Sequence, residues 1–229
     1  VMESELDVLA DVEATERPRV YALGGAKVSD SIDVAWNVLE SGLADQVLTA
    51  GVVGNVFLLA DGVDIGDASA DFIYDEGYWD EIDRAADLLD AHGDRIRFPQ
   101  DVAVERDSER HEIGLNALPG NEGEAAMDIG SGTLRMYKSV LAGAETVILN
   151  GPAGVFEDPT FATGTKELYR AAADVPYSIV GGGDTAAAIR QLGIDGFSHI
   201  STGGGACLRL LTGQTLPAVE ALRDGYDGD

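Results

Sequence analysis

The sequence predicts an α/β fold of three layers, in which helices flank a central, mostly parallel sheet. Short β-branched apolar segments alternate along the whole chain with segments whose apolar residues have helical spacing. This continuous alternation is typical of buried parallel strands joined by crossover helices. Apolar residues make up 45% of the 229 residues, which is enough for a substantial core.

The first half of the chain is predicted to hold four helices and two strands. Apolar residues at helical spacing predict a helix over 1–16, which Arg17-Pro18 ends. There follow strand 20–23, a helix that Asp30 can cap, strand 46–49, a helix over 52–60, an irregular segment over 61–80 and a helix from about 77 to 92. The helix after Asp30 is predicted to bury one apolar face, which consists of Ile32, Ala35, Trp36, Leu39 and Leu43.

The second half continues the alternation after two short strands around Pro99, at 96–98 and 102–104. The charged residues 105–125 are predicted to form a surface hairpin or loop. The elements after them are a helix that starts beyond residues 128–133 and ends near Gly143, strand 146–149, helix 161–173, strand 178–180, helix 185–192, strand 198–201 and a last helix from about Ala206.

The chain carries a large negative charge, because 41 acidic residues oppose 15 basic ones to give −26. A protein that binds nucleic acid regardless of sequence needs a basic face, so this class is excluded. The acids are spread along the chain, and the lysines are Lys27, Lys138 and Lys166 alone. Such a surface suits a cytoplasm with molar salt, where screening shortens the repulsion. The alternative is a merely acidic protein.

The sequence has neither an N-terminal targeting signal nor an apolar run of 18 residues. We therefore expect a soluble, cytoplasmic protein with no membrane partner. Cys207 is the single cysteine, which excludes an intrachain disulfide, and we expect it to be a small buried hydrophobic residue.

Four of the predicted strands end in glycine, at Gly24-Gly25, Gly151, Gly181 to Gly183 and Gly203 to Gly205. Ligands of open parallel sheets lie beyond the carboxyl ends of the strands. Four turns without side chains at one sheet edge would form a concave surface rich in backbone amides. Such a surface is large enough for a nucleotide, and the helix that follows Gly183 adds a dipole that favours an anion.

Two charged residues come directly after glycine turns and could act on a ligand there. Asp184 follows the third turn directly, and a carboxylate there repels an anion unless a metal lies between them. Mg²⁺ bound to a nucleotide would resolve that conflict, whereas the alternative is that Asp184 caps the helix. Lys27 follows the first turn, where a flexible ammonium can reach a phosphate. The alternative for Lys27 is a solvated surface lysine.

The turn after strand 146–149 offers further polar groups. Glu157 could accept hydrogen bonds from two ribose hydroxyls or act as a helix-cap acid, and Asn150 could present its amide or simply form the turn. Pro152 is expected to fix the shape of the loop. The three histidines, His92, His111 and His199, lie outside the glycine turns, which argues against histidine-based acid–base chemistry. Phosphoryl transfer needs little proton chemistry and depends on positioning and charge neutralisation.

Taken together, the turns resemble the motifs of phosphoglycerate kinases. The order and spacing are similar to those of the C-terminal, nucleotide-binding half of that family, from about Met2 to Leu222. The motifs are Gly24-Gly25-Ala26-Lys27-Val28-Ser29-Asp30, Asn150-Gly151-Pro152-Ala153-Gly154-Val155-Phe156-Glu157, Gly181-Gly182-Gly183-Asp184-Thr185 and Ser201-Thr202-Gly203-Gly204-Gly205-Ala206. Residues 48–57 look closer to the archaeal branch, which fits the halophilic composition.

The resemblance implies a Rossmann-like domain whose sheet carries MgADP or MgATP. It also implies the reversible transfer of a phosphoryl group from 1,3-bisphosphoglycerate to ADP, giving 3-phosphoglycerate and ATP. By that likeness Lys27 binds phosphate, and Asp184 holds the Mg²⁺ with Thr185 beside it. Backbone amides of Gly183 and Gly205 would stabilise the phosphoryl group in flight. The glycines Gly25, Gly181 and Gly182 would let the nucleotide approach closely. The nucleoside and ribose would be lined by Asn150, Gly151, Pro152, Val155 and Glu157.

The chain departs from the family pattern in three ways. Many members have a second lysine four positions after the first, where this chain has Ser31, and three glycines where it has Ala50-Gly51-Val52. The third departure is the absence of the basic cluster with which an N-terminal domain holds the phosphoglycerate. We therefore expect a fragment that binds nucleotide but turns over poorly, with an interdomain helix at 1–18, a nucleotide-binding domain at 19–215 and a tail at 216–229.

Two other classes remain as alternatives. A Rossmann NAD(P)-binding oxidoreductase domain expects Gly-x-Gly-x-x-Gly after its first strand, but the first turn here lacks the later glycines. A non-catalytic module would use the same scaffold to bind a partner.

Overall fold

The computed structural model of the chain describes residues 12–201 and confirms the α/β class. Within them the strands are β1 (Arg19–Leu23), β2 (Gln46–Thr49), β3 (Ile96–Arg97), β4 (Asp101–Arg106), β5 (Glu109–Gly114), β6 (Asp128–Ile129), β7 (Thr146–Asn150), β8 (Tyr177–Gly181) and β9 (His199–Ile200). The helices are α1 (Val28–Glu40), α2 (Gly51–Ala60), α3 (Asp67–Asp75), α4 (Trp79–His92), α5 (Ser131–Leu141), α6 (Thr163–Ala173) and α7 (Gly183–Leu192). Short 3₁₀ turns lie at Val12–Ala14, Gly93–Arg95 and Leu115–Ala117.

Six strands form a central sheet in the order β3-β2-β1-β7-β8-β9, and every neighbouring pair is parallel. The chain leaves β1 in one direction to reach β2 and β3, and it returns to the other side of β1 for β7, β8 and β9. The winding direction therefore reverses between β1 and β7. In open parallel sheets such a switch point marks the ligand crevice.

Helices cover both faces of this sheet, because side chains alternate along buried strands. Tyr21 and Leu23 of β1 belong to one buried apolar cluster, which also holds residues of α1, α2 and α4. Val20 and Ala22, at the intervening positions, belong to a second cluster with residues of α5, α6 and α7. The expected three layers are thus confirmed for the described residues.

A small antiparallel sheet in the order β5-β4-β6 stands beside the main one. Asp107 and Ser108 connect β4 to β5, and both have positive φ, at 53° and 62°. Two consecutive residues of this kind form the hairpin turn that matches the twist of the strands. The prediction of a hairpin or loop over 105–125 is confirmed in part, because the hairpin runs over 101–114 and a 3₁₀ turn and irregular chain follow it. The sequence did not predict the pairing of β4 with β6.

Three local predictions are wrong. Residues 61–80 are not irregular throughout but contain α3, which buries Ser69 and Ile73 on one side while its acidic residues are exposed. Trp36 does not face the core, and 38% of it is exposed. Asp30 does not cap α1, because that helix begins at Val28 and Asp30 lies within its first turn.

Several predictions lie outside the described residues, namely most of the helix over 1–16, the turn Thr202 to Gly205, and the helix from Ala206. The proposed domain boundaries also stay predictions. No helix among residues 12–201 is long and apolar enough to cross a membrane.

Candidate active site

The turns after β1, β7 and β8 lie side by side at the carboxyl edge of the main sheet, because these three strands are neighbours. This is the convergence that the glycine pattern predicted. β9 pairs with β8, so its carboxyl end lies at the same edge. The turn that follows β9, with Gly205, is outside the described residues.

Backbone hydrogen bonds join these turns to one another. The amide of Gly24 donates to Asn150 O at 2.7 Å, and the amide of Gly25 donates to Pro152 O at 2.7 Å. Gly51, at the start of α2, donates to Ala153 O at 3.0 Å. These three amides are therefore engaged between turns and do not face a ligand as free donors, contrary to the expectation of bare amides. Gly25 therefore stays a predicted ligand contact only because its lack of a side chain would let a ligand approach the backbone, and not as an amide donor.

Glycine is required where two turns touch. Gly151 has φ +88°, and a Cβ at that position would collide with the carbonyl group of Gly24. Gly182 has φ +93°, and a Cβ there would lie 2.6 Å from Asn150 Oδ1. Both positions combine a left-handed backbone with contact to a neighbouring turn, so the glycines permit the turns to pack.

Thr185 and Asn150 are buried between these turns. The Thr185 hydroxyl accepts a hydrogen bond from the amide of Gly151 at 2.7 Å. Thr185 therefore ties the first turn of α7 to the turn after β7. Its backbone stands beside Asp184, as the resemblance implied, while its hydroxyl is engaged within the protein.

Lys27 and Asp184 meet across the edge of the sheet, with Nζ 3.2 Å from Oδ2. Their side chains are 59% and 65% exposed, so both can reach a ligand from solvent. Asp184 is the second residue of α7 and makes no side-chain cap, because the N-cap is Gly182. The cap interpretation of Asp184 is therefore wrong, although its charge still favours the helix N-terminus.

These residues line a polar cleft, which we define by Gly24, Gly25, Ala26, Lys27, Asp30, Asn150, Gly151, Gly182, Asp184 and Thr185. It contains two carboxylates and one ammonium, so its formal charge is negative. The first amides of α7 have no carbonyl partner within the helix and favour an anion. A phosphate would thus meet both attraction and repulsion here, and an accompanying cation would remove the repulsion.

An apolar cleft of about 260 Å³ adjoins the polar cleft and shares Gly25, Ala26 and Asp184 with it. Val155 and Phe72 expose 41% and 45% of their surface. The remaining lining residues are Gly51, Val52, Ala126, Met127, Pro152, Gly154, Phe156 and Glu157. Sequence reasoning missed Phe72 and Met127. The signal that could have indicated Phe72 was the presence of an aromatic side chain within the acidic segment 61–80.

Three further positions, Gly181, Gly183 and Ser31, are not among the residues that line the clefts. Gly181 is buried as the last residue of β8 and pairs with Asn150 in the sheet. Gly183 is exposed as the first residue of α7, between Gly182 and Asp184. Ser31 is fully buried in α1, so it cannot supply the phosphate contact of the family's second lysine.

The fold and the clefts define the chain as a doubly wound α/β domain with a polar cleft at its topological switch point, where such folds bind their ligands. The family model described as phosphoglycerate kinase matches residues 1–214. The chain belongs to the phosphoglycerate kinase family.

Relatives and solved structures agree with this assignment. Phosphoglycerate kinase of Halobacterium salinarum is 60% identical over 97% of this chain and 56% of the relative. That of Natronomonas pharaonis is 58% identical over 98% of this chain and 56% of the relative. The crystal structure of the Pyrococcus horikoshii enzyme matches with a TM-score of 0.91 and 43% identity, covering all of this chain and 57% of that one. The chain thus spans about 56% of the length of the curated relatives it matches.

Proposed function

We propose that this chain is the nucleotide-binding part of a cytoplasmic phosphoglycerate kinase. It binds MgADP or MgATP for the reversible transfer of a phosphoryl group between 1,3-bisphosphoglycerate with ADP and 3-phosphoglycerate with ATP. The observation that carries this proposal is the contact of Lys27 with Asp184 at the mouth of the polar cleft. The proposed phosphate-binding residue and the proposed metal ligand lie together where separate strand ends converge, in a member of this family.

Lys27 would bind the terminal phosphates as a point charge. The amide of Gly183, at the N-terminus of α7, would donate to the oxygens of the phosphoryl group, where negative charge spreads during transfer. Gly205 is proposed for the same role from the turn after β9. The Gly183 amide is held at the start of α7, directly after β8, so it would need little rearrangement during the reaction.

The residues present fit a magnesium ion that arrives with the nucleotide. Mg²⁺ usually binds one or two carboxylates together with substrate phosphates rather than an all-protein cage. Asp184 supplies an exposed carboxylate, and residues 12–201 contain no group of three or more side chains that could hold a metal alone. We propose that Asp184 holds the Mg²⁺, which when bound neutralises phosphate charge.

The apolar cleft would hold the nucleoside. Pro152 and Val155 would contact the base side, and Glu157 would accept hydrogen bonds from the ribose hydroxyls. Asn150 and Gly151 connect this side to the polar cleft. Among the described residues, Lys27 is the one basic residue that lines either cleft, so the phosphoglycerate would be held by a further, basic domain.

Calorimetry at molar KCl tests this proposal with three ligands: MgADP, ADP with a chelator, and NAD⁺. We expect MgADP to bind, metal-free ADP to bind more weakly, and NAD⁺ not to bind. Binding of NAD⁺ alone would support an oxidoreductase domain instead. Binding of none of the three would support a non-catalytic module.

A further inference from the structure

The loop after β7 is held in place from outside the main sheet. It carries Pro152, Val155 and Glu157, the proposed nucleoside contacts. The amide of Val155 donates to Met127 O at 2.8 Å. The amides of Ala153 and Gly154 donate to Thr165 Oγ1 at 3.0 and 3.3 Å. One anchor therefore immediately precedes β6 and the other is the first turn of α6.

Asp128 joins these two anchors. Its side chain is completely buried, with 0% exposed. Oδ2 accepts a hydrogen bond from the amide of Gly164 at 2.8 Å, and Oδ1 accepts one from the amide of Ile129 at 2.9 Å. Gly164 directly precedes Thr165, so this carboxylate fixes the first turn of α6 against β6.

The loop itself packs on the same carboxylate. A Cβ on Gly154 would lie 2.5 Å from Asp128 Oδ1, and a Cβ on Gly164 would collide with the same atom. Two glycines therefore enclose Asp128, one from the loop and one from α6. A change in the position of Asp128 is transmitted directly to Gly154 and its neighbour Val155.

Arg110 holds the carboxylate from the hairpin. Its Nη1 donates to Asp128 Oδ2 at 2.7 Å, and its Nη2 donates to Ile129 O at 2.8 Å. The guanidinium of β5 thus contacts both the side chain and the backbone of β6. Removal of either partner would leave a buried charge uncompensated, which is costly. The pair therefore holds the Asp128 carboxylate and the backbone of β6 in their positions relative to β5.

We propose that Asp128 is a positioning residue that sets the nucleoside side of the site through Gly164 and the loop 151–157. This inference rests on the proposed nucleotide-binding function. Asp128 lines neither the polar nor the apolar cleft. Lys27 directly precedes α1 and Asp184 lies on α7, and none of the hydrogen bonds of Asp128 described above reaches either helix. Loss of the carboxylate should therefore weaken binding of the nucleoside and spare binding of the polyphosphate.

The test measures dissociation constants of MgADP and of magnesium tripolyphosphate at pH 7.5 for the 229-residue chain and its Asp128→Asn variant. We expect Asp128→Asn to weaken MgADP about tenfold, the equivalent of about 1.4 kcal/mol, and tripolyphosphate less than about twofold. Arg110→Gln removes the hairpin partner and should give the same split if Asp128→Asn does not fold. Hydrogen exchange at the Val155 amide should accelerate in either variant.

Asp101→Asn is the matched control. Asp101 lies in the same small sheet and accepts from the amides of Gly132 and Thr133, at the start of α5, at 2.7 Å. It lines neither cleft, so its variant should leave both dissociation constants and the exchange of Val155 unchanged. Equal weakening of MgADP and tripolyphosphate by Asp128→Asn, or no weakening, would overturn the inference. Failure of the unaltered chain to bind MgADP would refute the proposed function itself.

Discussion

At the scale of single residues, the contact of Lys27 with Asp184 was predictable and its surroundings were not. Lysine is rare in this chain and Asp184 directly follows a run of three glycines, so both residues stood out from the sequence. The burial of Ser31 and the engaged hydroxyl of Thr185 depend on packing between elements distant in the chain. No local pattern carries that information.

Asp184→Asn should weaken MgADP by about tenfold or more and leave metal-free ADP as tightly bound or tighter. The substitution removes the charge of the proposed metal ligand and also its repulsion of free phosphate. Exposed ion pairs contribute about 0–1 kcal/mol to stability, so the variant should fold. Calorimetry with and without a chelator measures both affinities. Asp195→Asn, an exposed acid beyond the other end of α7, is the control, and equal losses for both ligands would argue against metal binding by Asp184.

Asp128 should also make stability depend on pH. Burial raises the pKa of Asp128 to about 6, against the opposing effects of the hydrogen bonds from Gly164 and Arg110. A pKa that is higher in the folded than in the unfolded chain stabilises the fold at low pH, and this contribution is lost as the pH rises from about 4 to about 6.

The free energy of unfolding of the unaltered chain, minus that of Asp128→Asn, should therefore fall between pH 4 and pH 7. A shift of about two pK units corresponds to on the order of 3 kcal/mol. Urea unfolding of both chains at several pH values measures this difference. The contributions of the other carboxylates cancel in it, because both chains contain them. A difference that stays constant with pH would contradict the raised pKa.

At the scale of elements, the glycine pattern predicted the positions of the turns correctly. It did not predict that several of their amides donate to neighbouring turns instead of remaining free for a ligand. Strands followed by glycine predicted the convergence of three turns, because parallel strands share one carboxyl edge. The sequence could not show that Gly24, Gly25 and Gly51 donate to carbonyls of the loop after β7. It also missed α3, whose few buried residues lie among acids that favour solvent.

Gly151→Ala should destabilise the chain more than Gly42→Ala. Both glycines have positive φ, but a Cβ at Gly42 would meet nothing within 4 Å, whereas a Cβ at Gly151 would meet the Gly24 carbonyl. The strain alone should cost about 1 kcal/mol, and the collision about 1–3 kcal/mol more. Urea unfolding in molar KCl measures both variants. Equal losses would mean that the two turns do not need this contact.

At the scale of the whole molecule, the alternation of strands and helices was sufficient to predict a parallel main sheet, because both of its faces are covered and its longer strands are largely buried. The small β5-β4-β6 sheet was not predictable as such, since its pairing joins short segments through a charged hairpin. The relatives from Halobacterium salinarum and Natronomonas pharaonis agree with the composition-based inference of a high-salt protein.

The net charge of −26 should make the fold depend on salt. The screening length is about 10 Å at 0.1 M and about 3 Å at 1 M, so repulsion between dispersed acids declines steeply over this range. We expect the thermal midpoint to rise clearly between 0.1 M and 2 M KCl. Differential scanning calorimetry checks this, with NaCl at the same ionic strengths for comparison. A midpoint independent of salt would contradict the halophilic interpretation.

The most direct test of the central claim, that turns from separate strands bind one phosphate chain, is the affinity of Lys27→Met for MgADP. Lys166→Met is the matched control, because it removes the same charge from α6, where Lys166 lines neither cleft. Loss of a charge-assisted contact should weaken MgADP by about 10- to 100-fold in Lys27→Met, while Lys166→Met binds like the unaltered chain. Equal affinities in the two variants would contradict the account.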